Sequence, residues 1–572
     1  MKSIQLETLR TEILGINEKF LTPYGERIMT YADYTASGKP LKFIEEYLLE
    51  IQKFYANSHT EDDITGKTMT RLIHKAEQII KNEVNGTKEN SVIAAGSGST
   101  GAMETLAKIL GIYIPPATRK TFQEMSEFSD YPQDIQSFLD PGNKTGAPVV
   151  FIGPFEHHSN ILLWRESVAE VVNIGLDQDG YLDLEELKRK VSDPKYKKRR
   201  KIGSFSAGSN ITGVKTPVYE VAGILHDNDA IACFDFAASG PYVEINMNRD
   251  GKAYFDAVSI SPHKFIGGPG SSGILVINNR IYDTELPPTV MGGGTVDYVS
   301  DFGQDYIHDI EEREKAGTPG IIQIMKAALA IELKGQVGVE QIDRIEEDYT
   351  EQFIRRFKDN KNIEILGPME PEKRISIISF VIKHNEAYLH PRYATMLLND
   401  LFGVQSRAGC SCAGPYGHKL LGIDDGLSER FRSAIQNGYS SIKPGWVRVN
   451  LHYTMTQDTV DFILDTIEFV VNYGYLFLNE YQVCLKSGSW SHMSPPKEVD
   501  LLNNFGVMNA LSRTNRPLKK HQEINLAKER SAYLSYAMAK ADGLKKTHKE
   551  EYSNYDNPEM KALKWFHFIH KA

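Results

Sequence analysis

Cysteine is scarce in this chain: Cys233, Cys410, Cys412 and Cys484 are the only four in 572 residues. Four cannot build a disulfide framework, and Cys410 and Cys412 are too close in sequence for an easy bridge, so a reducing compartment, the cytoplasm, is the expected setting. The N-terminal MKSIQLETLRTEILGINEKF holds neither the apolar core of a signal peptide nor a run of about 18 apolar residues, and it reads as a helix of a soluble protein with no membrane partner. Basic excess is missing too. Asp plus Glu outnumber Lys plus Arg by 75 to 65, a formal charge of −10, which argues against a general nucleic-acid surface or an anionic-membrane surface and leaves room only for a local basic pocket. No internal repeat occurs. What is present is ample core material, 41% hydrophobic and 10% aromatic residues with 24% charged, so the chain folds rather than staying disordered, and two or three domains are expected.

From about residue 27 short apolar runs alternate with amphipathic stretches and Gly-rich turns, the pattern of helices packed on a mostly parallel sheet. SVIAAG, APVVFIG, KIGSFSAG, AIACFDFA, DAVSISPH and GILVIN are the strand candidates, with AMETLAKILGIYI, LDLEELKRKV and TPVYEVAGILHDN as helices between them. Residues 118–145 are polar and punctuated by Pro and Gly, and read as an insertion loop. The texture changes near residue 295: AGTPGIIQIMKAALAIELKGQVG suggests a long helix, and RISIISFVIK and GWVRVNLHYTMT suggest strands of a smaller α+β domain. The expected organisation is an N-terminal helical segment 1–30, a large α/β domain 31–295, a smaller α+β domain 296–484, and a polar, Lys/Glu-rich extension 485–572 read as a surface helix and tail.

Four local patterns carry chemistry. In Asp256-Ala-Val-Ser-Ile-Ser261-Pro-His263-Lys264-Phe-Ile-Gly-Gly, a lysine at a strand end, crowded by glycines, is placed to form a Schiff base with a flat cofactor, or is a surface lysine in a turn. In Ala94-Ala-Gly-Ser-Gly-Ser99-Thr100-Gly101, backbone N–H groups, hydroxyls and a helix start converge on one point suited to phosphate, or the serine and threonine merely cap the helix. The pattern is neither a P-loop nor GxGxxG. Asp235, leaving an apolar strand, needs a cationic partner, either a protonated pyridine nitrogen or a Lys or Arg. Glu156-His157-His158-Ser-Asn follows the VVFIGPF strand and puts an imidazole where it can stack on a planar ring, or a helix cap there.

Together these pieces resemble the fold-type I pyridoxal-phosphate enzymes of the class V aminotransferase and cysteine desulfurase group, from about Tyr31 to Val471. Tyr-Ala-Asp33-Tyr-Thr-Ala36-Ser resembles the YLDNAAT opening, Asn57-Ser-His59-Thr the Asn-x-His segment beside the substrate, and Ser209-Asn210-Ile-Thr-Gly the SNxxG strand end. The resemblance implies a large domain built on a mostly parallel seven-stranded sheet between helices, with a smaller α+β C-terminal domain. It further implies that Lys264 carries the Schiff base, that Asp235 pairs with the pyridine nitrogen, and that His157 stacks on the ring and assists proton transfer. Ser99, Thr100, Gly101, Ser261 and His263 would hold the phosphate, and Asn210 would reach the cofactor's phenolic oxygen and the substrate carboxylate.

Val404-Gln-Ser-Arg407-Ala-Gly409-Cys410-Ser-Cys412-Ala is similar to the RxGxxCA segment of the group II desulfurases and selenocysteine lyases. By that match Arg407 holds the amino-acid carboxylate, a pairing that suits its planar fork, and Cys412 attacks the substrate sulfur as a thiolate. Ala36, Asn57 and His59 complete the substrate side. Cys410 stands where the family has His, as a relay thiol or a small replacement. A CxC metal site is not expected, for no second Cys/His pair of zinc spacing follows. Ala238 replaces the family's Gln, which usually bonds the phenolic oxygen. Gly292-Gly-Gly-Thr295 resembles the loop by which a neighbouring subunit reaches the phosphate, which implies a homodimer. The leading expectation is conversion of L-cysteine, or an analogue such as selenocysteine, to alanine with sulfur carried on Cys412 toward an acceptor protein. An aminotransferase, epimerase or other lyase with Cys412 a bystander is the alternative, and a non-catalytic scaffold is a third.

Overall fold

The apolar runs of the first half of the chain pack side by side. The computed structural model describes residues 4–60, 62–127, 146–496, 505–512 and 525–572. Its largest sheet has seven strands, β1 (Asn90–Ala94), β2 (Val149–Ile152), β3 (Glu170–Asn173), β4 (Lys201–Ser206), β5 (Ala230–Asp235), β6 (Ala257–Ile260) and β7 (Ile274–Asn278), in the order β1-β7-β6-β5-β4-β2-β3. Every pair from β6 to β3 is parallel, whereas β7 runs against both β6 and β1. The strands read as continuous apolar runs because both faces are covered: Val149 and Phe151 of β2 face one core while Val150 and Ile152 face another, and Ala232 and Phe234 alternate with Cys233 in the same way on β5. Helices Ser99–Ile109, Leu184–Val191 and Val218–His226 connect them. Asp183 starts the second by accepting the N–H of Glu186, an N-cap of the expected kind.

Helix Ile321–Val337 ends at Gly338, which takes φ +93° and lets the chain turn into helix Val339–Phe357. A second sheet follows, β8 (Ile363–Ile365), β9 (Ile377–His384), β10 (Ala387–Leu389), β11 (Arg407–Gly409), β12 (Trp446–Asn450) and β13 (Phe566–His567), ordered β11-β12-β9-β10-β13 with β8 also on β9. Only β10 and β13 pair parallel. Among the described residues no helix is long and apolar enough to cross a membrane.

Three segments differ from the expectation. At the N-terminus the helix is confined to Leu6–Thr11; Gly15 and Asn17 adopt φ of +79° and +61°, which no helix tolerates, and a hairpin of Lys19–Thr22 with Gly25–Ile28 follows. The stretch read as a loop over 118–145 begins inside helix Pro116–Glu127, which proline opens at its first position; residues 128–145 lie outside the described set. Beyond residue 485 the chain is not a tail. Helix Leu526–Thr547 buries the stripe Arg530, Tyr533, Ala537 and Ala541, and the chain then adds β13 to the small sheet with Phe566 and Phe568 fully buried. The Trp565 indole N–H donates to the Ile442 carbonyl at 2.8 Å.

Candidate active site

The carboxyl ends of the parallel strands converge on a cavity of about 270 Å³, the place where open α/β sheets bind ligands. Asp235 closes β5, β6 runs into Ser261 and the turn Pro262–Lys264, and β1 feeds a Gly-rich turn and helix Ser99–Ile109. The turn needs its glycines: Gly96 takes φ +59°, and a Cβ on Gly98 would stand 2.9 Å from the His263 ring. Bare backbone there, at a helix start lined by Ser97, Thr100 and Gly101, can approach an anion closely. His263 is fixed beside it by its Nδ1–H, which donates to the Ser97 carbonyl at 3.0 Å.

Asp235 is 4% exposed and makes no ion pair among the described residues. Its Oδ1 accepts from the hydroxyls of Ser99 at 2.6 Å and Ser259 at 3.2 Å and from the Ala237 N–H at 2.9 Å. The Ser99 hydroxyl is thus engaged by Asp235, and the Ser99 N–H donates to Ser261 Oγ at 2.9 Å. Ser261 keeps its own proton to donate. Burial pushes the Lys264 amine down to about 8, with Asp235 pulling it up and Arg448 and Arg407 adding to the fall.

The turn after β2 is pinned from below by Glu156, 2% exposed, which accepts from the N–H groups of Gly153 and Ser206, the Ser206 hydroxyl and the Asn160 amide. Burial lifts its carboxyl to about 7 against the pull of the Ser206 and Asn160 bonds. That network sets His157 on the cavity wall. Nδ1 of His157 accepts the Ser159 N–H at 3.2 Å, so the ring proton sits on Nε2, and burial, with Lys264 second, lowers the ring to about 4. Ser159 in turn meets the Thr100 hydroxyl at 2.8 Å.

Arg407 lines a separate space of about 220 Å³ with Cys410, Ser411 and Cys412, and it faces Arg448 across β11 and β12. Asp33 bridges them, one oxygen 3.0 Å from Arg407 Nε and the other 3.0 Å from Arg448 Nη2. Arg448 is 3% exposed and also donates to the Asn210 carbonyl, whereas Arg407 is half exposed and makes no other hydrogen bond among the described residues. The cysteine loop is stitched to the cavity wall: the Asn210 amide donates to the Ser411 carbonyl at 2.6 Å, the His158 N–H to the Cys412 carbonyl at 2.8 Å, and the Gly414 N–H to His158 Nε2 at 3.1 Å. Ser411 and Cys412 hold φ of +46° and +58°, left-handed backbone that a free loop of such residues avoids. Cys412 is exposed; Cys410 is half-buried against the large core.

Ala36 lies in the turn beside this group, its N–H on the Asp33 carbonyl. Asn57, His59 and Thr295 do not line this chain's own cavity; Thr295 is the residue expected to reach the phosphate of a neighbouring subunit. The loop from Gly292 to Thr318 folds onto them instead: Thr318 donates to Asn57 at 3.1 Å, His59 packs against Gly294, and the buried Thr295 hydroxyl donates to the Gly292 carbonyl at 2.7 Å. Ala238 does line the cavity, and the adjacent Ser239 hydroxyl is buried with no partner among the described residues. Arg448 and Ser259 are the residues that sequence reasoning missed. An arginine in the middle of the apolar run WVRVN was a usable signal, because a buried guanidinium demands a carboxylate; a serine in a strand offers none.

A family model described as aminotransferase class-V matches residues 136–463. Among curated relatives, a probable cysteine desulfurase of Streptomyces coelicolor is 24% identical over 395 residues, covering 68% of this chain and 84% of its own. One of Halalkalibacterium halodurans is 24% identical over 392 residues, with the same coverage. Among solved structures, the apo cysteine desulfurase of Thermococcus onnurineus superimposes with a TM-score of 0.63 at 23% identity, over 82% of this chain and 100% of that one. A cysteine desulfurase of Escherichia coli gives 0.59 at 16% identity, over 82% and 99%.

Proposed function

The chain belongs to the class-V aminotransferase family of pyridoxal-phosphate enzymes, and from that premise we propose that it is a cysteine desulfurase, taking L-cysteine or a close analogue to alanine with the sulfur left on Cys412. The residues present suit the cofactor: Asp235 is a buried carboxylate with no cation of its own among the described residues, and the glycine-lined helix start opposite has room and N–H groups for a phosphate. When bound, the cofactor supplies a carbonyl for amines to condense with and a ring that draws electrons from the substrate Cα.

The protein's own groups do the rest. Lys264, with its amine near 8, is in part neutral at physiological pH, so its Nζ can act as nucleophile and then take up and return protons. His157, neutral with its proton on Nε2, can lie against a planar ring without adding charge. Asp33 orients the Arg407 guanidinium, whose remaining N–H groups suit a bidentate pair with the amino-acid carboxylate. Cys412 Sγ then bonds to the substrate sulfur as the Cβ–S bond breaks; the carbon keeps the electron pair and takes a proton, giving alanine and a Cys412 persulfide. A protein acceptor for that sulfur and a homodimer belong to the same reading, the latter supported by apolar side chains exposed at Leu286, Val290, Met291, Tyr298, Val299 and Phe302.

The observation that carries the proposal is the pair of bonds from Asn210, which lines the cofactor cavity, and from His158 to the carbonyls of Ser411 and Cys412, which tie the thiol loop to a residue of that cavity's wall. Alanine and sulfide release from L-cysteine, measured with reductant on cofactor-loaded wild type and Cys412→Ser, tests it. Loss of sulfide in the variant, with its cofactor absorbance intact, is expected. Full sulfide release by Cys412→Ser overturns the persulfide step, and an inactive but loaded wild type turns the assignment to an aminotransferase or lyase with Cys412 a bystander.

A further inference from the structure

A second cleft, of about 310 Å³ and partly open to solvent, lies behind the turn 31–39, away from the cofactor cavity. Its walls come from four parts of the chain that only folding brings together: the N-terminal helix and turn, residues 29–39, residues 454–459, and the start of helix Leu526–Thr547. Ile13, Ile16, Met29, Tyr34 and Met455 make most of the surface apolar.

The charged groups in this space are unbalanced. Arg10, Lys39 and Arg530 line it, against a single carboxylate, Glu7, which is exposed at the rim and paired with Arg10 at 3.1 Å. Arg10 also donates to the carbonyls of Thr454 and Met455. Arg530 is 8% exposed; its Nη1 reaches the Asp458 carbonyl and the Thr459 hydroxyl, and its buried Nε has no partner among the described residues. Lys39 makes no ion pair among the described residues and points its ammonium toward Gly15 and the Tyr31 ring. The Thr30 hydroxyl is likewise buried and unpartnered among the described residues. Asp458 offsets part of the Arg530 charge and the Phe462 ring lies 5.0 Å from its guanidinium, but Lys39 has no carboxylate partner among the described residues, so an anion that joined the two cations would be favourable.

We propose that this cavity binds a small organic anion, a carboxylate or phosphate head held by Arg530 and Lys39 and an apolar body laid on Ile13, Ile16 and Met455. The site does not depend on the identity of the reaction, since it shares with the catalytic cavity only the turn between them. Across that turn the Tyr31 hydroxyl donates to the Ser37 carbonyl, and the Gly38 N–H donates to the His263 carbonyl.

Calorimetric titration of the cofactor-loaded enzyme with phenylacetate, phenyl phosphate, inorganic phosphate and the neutral phenylacetamide tests the proposal. One or both aromatic anions should bind at least about tenfold more tightly than phenylacetamide and inorganic phosphate, because a charge-assisted bond is lost in one case and the apolar contact in the other. Which anion wins identifies the head. Arg407 and the phosphate cradle can also take anions, so the deciding comparison is with Arg530→Gln and, on a separate element, Lys39→Gln; each should weaken binding by about tenfold or more while the bound-cofactor absorbance stays unchanged. Equal binding of acid and amide, undiminished binding in both variants, or no binding at low-millimolar ligand overturns the site.

Discussion

Asp33 serves two arginines of very different burial, and a double-mutant cycle separates their shares. The Arg448 side chain is 4% exposed and that of Asp33 14%, so breaking that contact leaves a guanidinium in the interior with only the Asn210 carbonyl for company. Removing one partner of a buried pair is worth about 3–5 kcal/mol, and because the amide introduced by Asp33→Asn could still accept a hydrogen bond we expect that variant to lose about 2–4 kcal/mol of unfolding free energy. The Arg407 side chain is 49% exposed, and a pair so open contributes at most about 1 kcal/mol. Guanidinium chloride unfolding of Asp33→Asn, Arg448→Met, Arg407→Met and the two doubles yields both couplings. The Asp33–Arg448 coupling should exceed the Asp33–Arg407 coupling by roughly 2 kcal/mol. Equal couplings, or an Asp33→Asn protein within about 0.5 kcal/mol of wild type, would refute the reasoning. The same set read by kinetics should show the opposite order, with Arg407→Met raising KM for cysteine most.

Lys264 titrates near 8 in the free protein, so the rate at which cofactor-free enzyme recovers its absorbance with pyridoxal phosphate should rise with pH as the amine loses its proton, with its inflection near 8; an inflection near the ordinary lysine value of 10.5 would mean the amine is not desolvated. Phe566 is fully buried at the sheet edge, and Phe566→Ala should lower stability by about 3–5 kcal/mol, measured by chemical denaturation; a loss below about 1 kcal/mol would show that β13 is peripheral after all.

That Asp235, Lys264 and the Ser97–Gly101 turn meet at one cavity was largely legible in the sequence because each sits at or just beyond the end of an apolar run. Asp235, Lys264 and the Ser97–Gly101 turn are strand-end residues, and period-2 packing of both faces places strand ends in register. Side-chain allegiance was less legible. That the Ser99 hydroxyl is engaged by Asp235 depends on a carboxylate 136 residues away, and the pairing of Asn57 with Thr318 depends on how a loop folds back. The extension beyond 485 was misjudged for a different reason. Helix Leu526–Thr547 buries Arg530, Tyr533, Ala537 and Ala541, a stripe of small or polar-tipped side chains that hydropathy does not register although its spacing of three and four is helical. Cys412 was singled out by the resemblance to the RxGxxCA segment, yet the left-handed backbone at Ser411 and Cys412 could not be read from a Cys-Ser-Cys sequence lacking a glycine at either strained position.

The parallel pairing of β13 with β10 joins residues about 180 positions apart and has a consequence for the order of assembly. During synthesis the large sheet, complete at Asn278, can close while most of the remaining chain is still unmade, but the small sheet and its aromatic cluster wait for Phe568. A ribosome that stalls short of that residue thus leaves a chain whose large sheet is complete while β10 keeps an open edge, one that another strand can pair with.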